Sequence, residues 1–282
     1  MRDRTRIRAW LWALVMACAP AFLGSGGCRR SDGPPPEVSV TNTYLAAAVG
    51  EVLGRDDVVL CLAGPGMCPG HFDIRPGQAA EAARTQLFLR LPGQDHLDAK
   101  IAPHGEGPRV VRVNPSAGLC VPAGYADACR QAAEALVEAG LVDRPSADRR
   151  VDEAAERMAE LSKEAELTVA AAGFKGQPVV ASEHQADFCR FLGLHVIASF
   201  RDADAGRFDS MDRIIKAAEP SGVRLVIANR PEGRKAADAL AERLSATVVV
   251  FDNFPSLEGK RPFDALVRAN VDALMAAAEA AP

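Results

Sequence analysis

The sequence predicts an α/β protein of two lobes joined by one long helix, and three observations support that prediction. Short β-rich apolar runs alternate with helical stretches from Val38 to Val113. A continuous amphipathic segment then covers Ser146 to Ala172, and the alternation resumes at Pro178. Strands that alternate with helices form parallel sheets covered by helices on both faces. Two such arrays separated by one helix therefore indicate two lobes.

Residues 38–145 form the first predicted lobe. The first apolar run is followed by an Ala-rich stretch that predicts a helix over Thr43–Leu53, and further helical stretches separate most of the later runs. The predicted strands are Val38–Val40, Val58–Leu62, Gln86–Leu91 and Arg109–Val113.

Residues 146–174 form the predicted bridging helix. Apolar side chains recur every three or four residues, with Glu and Arg at most other positions, as in a helix with one buried stripe. Gly173 and Gly176 are expected to end it, because glycine adopts the left-handed conformation found after helices. The stripe comprises Val151, Ala154, Ala155, Met158, Leu161, Ala165, Thr168 and Val169.

Residues 175–282 form the second predicted lobe, in which the strand pattern restarts. Its predicted strands are Pro178–Ser182, His195–Ser199, Val223–Ala228 and Thr247–Phe251. Its predicted helices are Met211–Ala218, Glu232–Leu244 and Pro262–Ala280.

The N-terminal residues 1–28 predict a bacterial secretion signal. Four arginines up to Arg8 precede the uncharged stretch Ala9–Leu23, which is shorter than the roughly 20 residues that span a bilayer. Small residues then lead to Cys28, where we expect cleavage and lipid modification. Ordinary cleavage near Ala21 is the alternative. The polar, Pro-rich residues 29–37 would form an extended linker.

Composition narrows the possible partners. The chain carries a net charge of −4, and cleavage before Cys28 would remove four arginines and one aspartate, leaving an acidic body. An acidic domain without a basic stripe argues against nucleic-acid binding. Two of the seven cysteines lie in the signal region, so an odd number remains in a compartment that permits disulfides. These remaining cysteines are Cys61, Cys68, Cys120, Cys129 and Cys189.

Four segments near the carboxyl ends of predicted strands or in loops contain side chains able to bind metal. Ligands of open α/β sheets bind at such strand ends. The segments are Gly64–Pro76 with Cys68 and His71, Leu119–Pro122 with Cys120, Ala181–His184 with Glu183 and His184, and Val248–Asn253 with Asp252.

Together these segments resemble the TroA-like solute-binding lipoproteins of bacterial ABC importers for zinc and manganese. The resemblance covers nearly all of the chain after the signal. It implies two Rossmann-like α/β lobes, a long backbone helix between them, and a metal held in the interlobe cleft by four side chains. It further implies delivery to an ABC permease and its ATPase. We expect no enzymatic activity, because the sequence has no P-loop, no Gly-x-Gly-x-x-Gly after the first strand and no Gly-x-Ser-x-Gly motif.

The resemblance also implies the ligands, residue by residue. The first histidine of the family falls on Gly70, so Cys68 or His71 would supply that ligand. Cys120 stands where the family has its second histidine. Glu183 and His184 compete for the third position, and Asp252 matches the final aspartate.

A set of Cys, His and Asp suits zinc, and thiolates favour zinc or copper over manganese. We therefore expect zinc, with copper and manganese as alternatives. We expect a monomer in the periplasm or at the cell surface, anchored to the membrane through Cys28. Two alternatives stay open: the same fold binding a non-metal solute or a metal chelate, and a periplasmic redox protein that uses Cys68 and Cys120, which could instead form a disulfide. Cys61, Cys129 and Cys189 are expected in the core.

Overall fold

The computed structural model describes residues 35–64, 73–102, 105–201 and 208–279. Within these ranges lie two four-stranded parallel sheets, and one long helix runs between the two arrays in the chain. The fold class predicted from the sequence is confirmed. No helix in these ranges has the length and apolarity needed to cross a membrane.

The first lobe contains a sheet of strand order β2-β1-β3-β4. The chain moves from β1 to β2 on one side and then crosses to β3 on the other, so the carboxyl ends of β1 and β3 form a switch point where such sheets bind ligands. Its strands are β1 (Val38–Val40), β2 (Val59–Cys61), β3 (Leu87–Arg90) and β4 (Arg109–Arg112), and its helices are α1 (Thr43–Leu53), α2 (Pro76–Ala82), α3 (Asp98–Ile101) and α4 (Pro122–Glu138).

The second lobe repeats this topology with strand order β6-β5-β7-β8, so β5 and β7 flank its switch point. Its strands are β5 (Pro178–Ser182), β6 (His195–Phe200), β7 (Leu225–Asn229) and β8 (Thr247–Phe251), and its helices are α6 (Ala186–Phe191), α7 (Phe208–Ala218), α8 (Lys235–Leu244) and α9 (Pro262–Glu279). The residues of β7 are buried throughout, as expected for a strand covered on both faces.

Helix α5 (Arg144–Ala171) connects the two sheets and matches the predicted bridging helix. Asp143 caps its first turn by accepting a hydrogen bond from the backbone nitrogen of Ser146, at 2.9 Å. The predicted apolar stripe faces the core except at Ala155 and Thr168, which are exposed; the Thr168 hydroxyl donates to the carbonyl of Glu164. The buried positions are Ala147, Ala154, Met158, Leu161, Ala165 and Val169.

The C-terminal helix α9 contacts β8 in its own lobe as well as α1 and α5. At its first turn Phe263 stacks on Tyr125 of α4, with ring centroids 4.0 Å apart and planes 7° apart. Tyr44 of α1 packs edge-on against the Phe263 ring. Helix α9 therefore packs the second lobe against the first.

Most element boundaries agree with the sequence predictions to within one or two residues, and two helices start elsewhere. Helix α7 begins three residues earlier than predicted. The predicted start of α8 at Glu232 is wrong, because Arg230–Glu232 form a short 3-10 turn. Pro231 has no amide hydrogen to donate, and Gly233 has a φ of 89°, so the α-helix begins only at Lys235.

Candidate functional site

A buried polar cluster between the lobes lies at the carboxyl edge of the second sheet. Strands β5 and β7 end at Ser182 and Asn229, and Asp252 and Asn253 directly follow β8. These positions surround the switch point of the sheet. A loop of the first lobe, carrying Cys120, reaches this edge.

Cys120 joins the lobes through its sulfur. Its Sγ lies 2.9 Å from the carbonyl oxygen of Asp252 and 3.2 Å from Oδ1 of Asn253, and only 2% of the residue is exposed. Burial raises the pKa of the Cys120 thiol well above its ordinary value, and the nearby charge of Asp252 acts in the same direction. The side chain is therefore a neutral thiol that donates to second-lobe oxygens.

The loop before α4 is held in place by a close backbone approach. Val121 donates to the carbonyl of Gly118 at 2.9 Å, and Pro122 opens α4, where its missing amide hydrogen costs nothing. A Cβ at Gly124 would lie 3.0 Å from the carbonyl oxygens of both Ala117 and Gly118. Glycine at this position lets α4 pack against the loop that carries Cys120.

Carboxamides form the rest of the cluster. Nε2 of Gln185 donates to Oδ1 of Asn229 at 3.0 Å and to Oδ1 of Asn253 at 2.7 Å. Asn270 of α9 accepts from the backbone nitrogen of Asp252 and donates to its carbonyl oxygen, each at 2.9 Å. All these amide side chains are buried, and Oε1 of Gln185 has no hydrogen-bond partner.

The backbone carbonyl of Asp252 contacts Cys120 and Asn270, whereas its carboxylate has other partners. Oδ1 accepts from the backbone nitrogens of Asn253 and Phe254 at 2.8 and 3.1 Å. Oδ2 lies 3.0 Å from Nε of Arg230. The carboxylate thus caps the turn after β8 and is compensated by a guanidinium. Its predicted role as a ligand stays a prediction.

Glu183 and His184 engage other partners. Glu183 accepts from Nε of Arg201 at 2.6 Å on the surface. Nε2 of His184 lies 3.3 Å from Oε1 of Glu232, and hydrogen bonding to that carboxylate raises the pKa of His184. Burial opposes the charge of Glu232, but hydrogen bonds from His184 and Ser182 hold its pKa below the ordinary value.

A continuous hydrogen-bonded path connects this ion pair to the thiol. Ser182 and Asn229 both donate to Oε2 of Glu232, at 2.7 and 3.2 Å. Asn229 in turn accepts from Gln185, whose amide also bonds Asn253 beside Cys120. The path therefore runs from the half-exposed His184 to the interior of the interlobe junction.

The first lobe presents a smaller polar set at its own switch point. Oε1 of Gln94 accepts from Oγ1 of Thr41 at 2.7 Å and from the backbone nitrogen of Leu91 at 2.9 Å. Nε2 of Gln94 is buried without a partner. Both sheets thus place a glutamine with one unpaired polar atom near their carboxyl ends.

The predicted ligands Cys68 and His71 lie outside the described residues, as does the lipidation position Cys28. Within the described ranges, no three His, Cys, Asp or Glu side chains gather closely enough to hold a metal ion. The described part of the cleft therefore supplies one thiol and several neutral oxygens. A tetrahedral zinc site would need further ligands.

The remaining described cysteines carry free thiols, like Cys120. Cys129 and Cys189 are completely buried, which confirms their predicted place in the core. Cys61 is half-buried and donates to the carbonyl of Ala63 at 3.1 Å, and burial raises its pKa to about 12. None of the three has the low pKa of a reactive cysteine.

Sequence reasoning missed the buried amides of Gln185, Asn229, Asn253 and Asn270, and the carboxylate of Glu232. A signal existed for two of them, because Asn229 ends a strand and Asn253 follows one, at the edge where ligands bind. Gln185 carries no such signal, because it follows Glu183 and His184 directly and the sequence does not show which of the three side chains is buried.

Comparison with solved structures gives the same fold. A ZnuA deletion mutant with zinc bound shares 14% sequence identity and a TM-score of 0.70, with 88% of this chain and 100% of that chain covered. A cadmium-bound periplasmic metal-binding protein from Candidatus Liberibacter asiaticus shares 11% identity and a TM-score of 0.72, with 86% and 98% covered. A manganese-bound form of the same protein shares 10% identity and a TM-score of 0.70, with the same coverage.

At these identities the likeness to solved structures establishes the fold alone. No curated protein sequence matches this chain significantly. The family model described as "ZnuA: Zinc-uptake complex component A periplasmic" matches residues 38–277, which includes both sheets and the connecting helix. The chain therefore belongs to the ZnuA family of periplasmic zinc-uptake components.

Proposed function

We propose that this protein is the solute-binding component of an ABC importer and captures a transition-metal ion, with zinc as the principal cargo and copper or manganese as alternatives. The observation that carries the proposal is the family match over residues 38–277. The two-lobed fold supports it, because Cys120 of the first lobe contacts Asp252 and Asn253 at the carboxyl edge of the second sheet, where such sheets bind ligands.

The proposed cargo site is the interlobe junction at Cys120. A metal ion would displace the thiol proton, and the resulting thiolate is a strong ligand for zinc or copper. The other proposed ligands are Cys68, His71, Glu183, His184 and Asp252. For Glu183, His184 and Asp252, binding would require exchange of their present partners Arg201, Glu232 and Arg230.

Anchoring near the permease is the second part of the proposal. A lipid on Cys28 and the Pro-rich linker over residues 29–37 would keep both lobes close to the membrane. The proposed lobes are residues 38–145 and 175–282, joined by the helix region 146–174. Such tethering raises the effective concentration of the binding protein at its permease and ATPase. Membrane fractionation of the wild type and of Cys28→Ser tests the anchor, and equal release of both into the soluble fraction would refute it.

Calorimetric titration of metal-free, reduced protein with Zn²⁺, Cu⁺ and Mn²⁺ tests the cargo. We expect the tightest binding for a thiophilic ion, Zn²⁺ or Cu⁺, and proton release on binding. If no ion binds more tightly than about 10 µM, roughly −7 kcal/mol, metal capture is refuted.

A chelate or another polar solute is the second candidate cargo, and the buried carboxamides of Gln185 and Asn253 favour it. Elemental analysis of the protein as purified, with thiols kept reduced, separates a metal-ion cargo from this second candidate. A preparation that contains no metal but still binds a metal chelate would identify the chelate as the cargo. The redox alternative is disfavoured, because the Cys120 thiol is buried and its pKa is raised.

A further inference from the structure

Asp252 lies between the interlobe junction and an arginine. Its backbone carbonyl oxygen is 2.9 Å from the Cys120 sulfur, and its Oδ2 is 3.0 Å from Nε of Arg230. Each carboxylate oxygen has two lone pairs, and Oδ1 already accepts from the backbone nitrogens of Asn253 and Phe254. Oδ2 is therefore the more available oxygen for a cation, and a guanidinium stands beside it.

The register of the second sheet brings the arginine to this position. Strands β7 and β8 are parallel neighbours in which Asn229 is paired with Phe251, so the next residues, Arg230 and Asp252, leave the sheet side by side. The 3-10 turn that begins at Arg230 is closed by the Gly233 nitrogen, which donates to the Arg230 carbonyl at 3.1 Å. The backbone of the second lobe therefore places a cation next to the carboxylate.

The two members of this ion pair differ in exposure. The side chain of Arg230 is 63% exposed, whereas that of Asp252 is 19% exposed. Water can solvate the guanidinium when it swings away, and an exposed ion pair is weak enough to be exchanged. A divalent ion at Oδ2 would stand in contact with the positive guanidinium, and like charges at that distance repel. Only one of the two cations can occupy Oδ2 at a time.

We propose that Arg230 is a replaceable counter-ion, which competes with the cargo cation for Asp252 and returns to the carboxylate when the cation leaves. The assignment rests on the proposed function, and it deepens that function by naming a residue that limits affinity and assists release. The exchange replaces an arginine–carboxylate contact by a metal–carboxylate contact, and no proton is transferred at this position.

Substitution of Arg230 gives opposite results for a competitor and for a residue that only orients Asp252. Arg230→Gln removes the competing charge, and we expect Zn²⁺ affinity in calorimetry to rise about tenfold and release to a colorimetric chelator to slow. Arg230→Lys keeps the charge, and its affinity should stay within about threefold of the wild type. Loss of an orienting contact would instead make Arg230→Gln bind more weakly.

Arg243→Gln is the matched control. Arg243 is 62% exposed and pairs with Asp212 at 3.7 Å. It lies in the last turn of α8, which leads to the amino end of β8, at the edge of the sheet opposite Asp252. Removing its charge should change Zn²⁺ affinity less than threefold.

Asp252→Asn tests the group for which the two cations would compete. Zn²⁺ binding should weaken in this variant, and Arg230→Gln should have no further effect in its background. The Oδ1 bonds to the backbone do not involve Arg230, so Arg230→Gln should fold. Arg230→Ala is a second neutral variant that should tighten binding in the same way.

The outcomes separate the counter-ion from the proposed function. If the wild type binds Zn²⁺ but neither neutral Arg230 variant binds it more tightly than Arg243→Gln does, the counter-ion is wrong and metal capture stands. If the wild type binds no ion more tightly than about 10 µM, metal capture fails. In that case, Zn²⁺ binding by Arg230→Gln but not by Arg230→Lys would uphold the counter-ion, and its absence from both would overturn it.

Discussion

In the part of the chain that the structure describes, a buried and a partly buried polar cluster lie between the lobes, and they differ in charge. The cluster at Cys120 consists of a thiol and carboxamides. The second, an ionic cluster formed by Glu51, Arg157 and Asp264, joins α1, α5 and α9. Arg157 makes paired bonds of 2.8 and 2.6 Å to Glu51 and a bond of 3.2 Å to Asp264.

The difference indicates separate roles. Burial opposes the charge of Arg157, but the two carboxylates outweigh it and raise its pKa, so every member of the ionic cluster is compensated by another. The thiol–carboxamide cluster keeps one oxygen of Gln185 unsatisfied. Mutual compensation suits a structural contact between the lobes, whereas the neutral cluster is the cargo site that we propose.

The largest expected effect comes from breaking the ionic cluster. Arg157→Met leaves the carboxylates of Glu51 and Asp264 without their cation, and we expect a loss of about 3 kcal/mol in the free energy of unfolding. Urea denaturation of metal-free protein measures it. Metal affinity of the folded fraction should change less than threefold.

Arg268→Met is the matched control for that prediction. Arg268 also connects α9 to α5, through a pair of 2.9 Å bonds to Glu164, but both side chains are about half exposed. Exposed pairs contribute roughly 0.5 kcal/mol. Equal destabilisation by the two substitutions would contradict the distinction between a buried structural cluster and a surface pair.

Replacing the thiol tests the other cluster. Cys120→Ser removes the thiolate, and we expect Zn²⁺ affinity to fall about a hundredfold, or about 2.8 kcal/mol, in calorimetric titration. Cys129→Ser is the control, because Cys129 is buried to the same degree within the first-lobe core and should lower only thermal stability. An unchanged affinity in Cys120→Ser would remove this cysteine from the metal site.

The smallest expected effect concerns His184 and Glu232, at the outer end of the path to Cys120. The pKa of His184 is raised from 6.5, so its contribution is complete below 6.5 and is lost as pH rises through the raised value. The pKa of Glu232 is lowered from 4.5, so its contribution is present above 4.5 and is lost as pH falls through the lowered value. The pair therefore stabilises most between these two ordinary values.

His184→Gln should accordingly destabilise the metal-free protein by less than about 1 kcal/mol, because the imidazole is more than half exposed. The difference from the wild type should be greatest between pH 4.5 and 6.5 and should vanish at alkaline pH. Thermal melts across this range measure it. A difference that is constant with pH would show that the ion pair contributes nothing.

The sequence predicted the fold better than the direction of side chains. Hydrophobic periodicity located the eight strands of the described residues and the bridging helix, because buried strands and amphipathic helices must repeat apolar residues with their own spacing. The rule that ligands bind at strand ends predicted Cys120, Asp252 and the turn after β5 as candidate ligand positions. It could not state that the carboxylate of Asp252 points to Arg230 and away from the thiol.

The turn after β5 shows why. Glu183, His184 and Gln185 are consecutive, yet the first pairs with Arg201 on the surface, the second with Glu232, and only the third is buried beside Asn253. In a turn the side-chain direction changes at every residue, so no repeat in the sequence identifies the inward one. That choice depends on the hydrogen bond between the Gln185 nitrogen and the Ser182 carbonyl, which closes the turn.

By itself, the sequence determined the two α/β arrays, the helix between them and the candidate positions at strand ends, because periodicity and chain order suffice for these features. Only the tertiary structure decided which side chains meet at the junction. Cys120 contacts Asp252 and Asn253, which lie more than 130 positions away, and contacts of that range depend on how the lobes pack. The same packing produces two different clusters, an ionic one in which the charges compensate each other and a neutral one with an unsatisfied oxygen. The sequence does not predict this difference in charge.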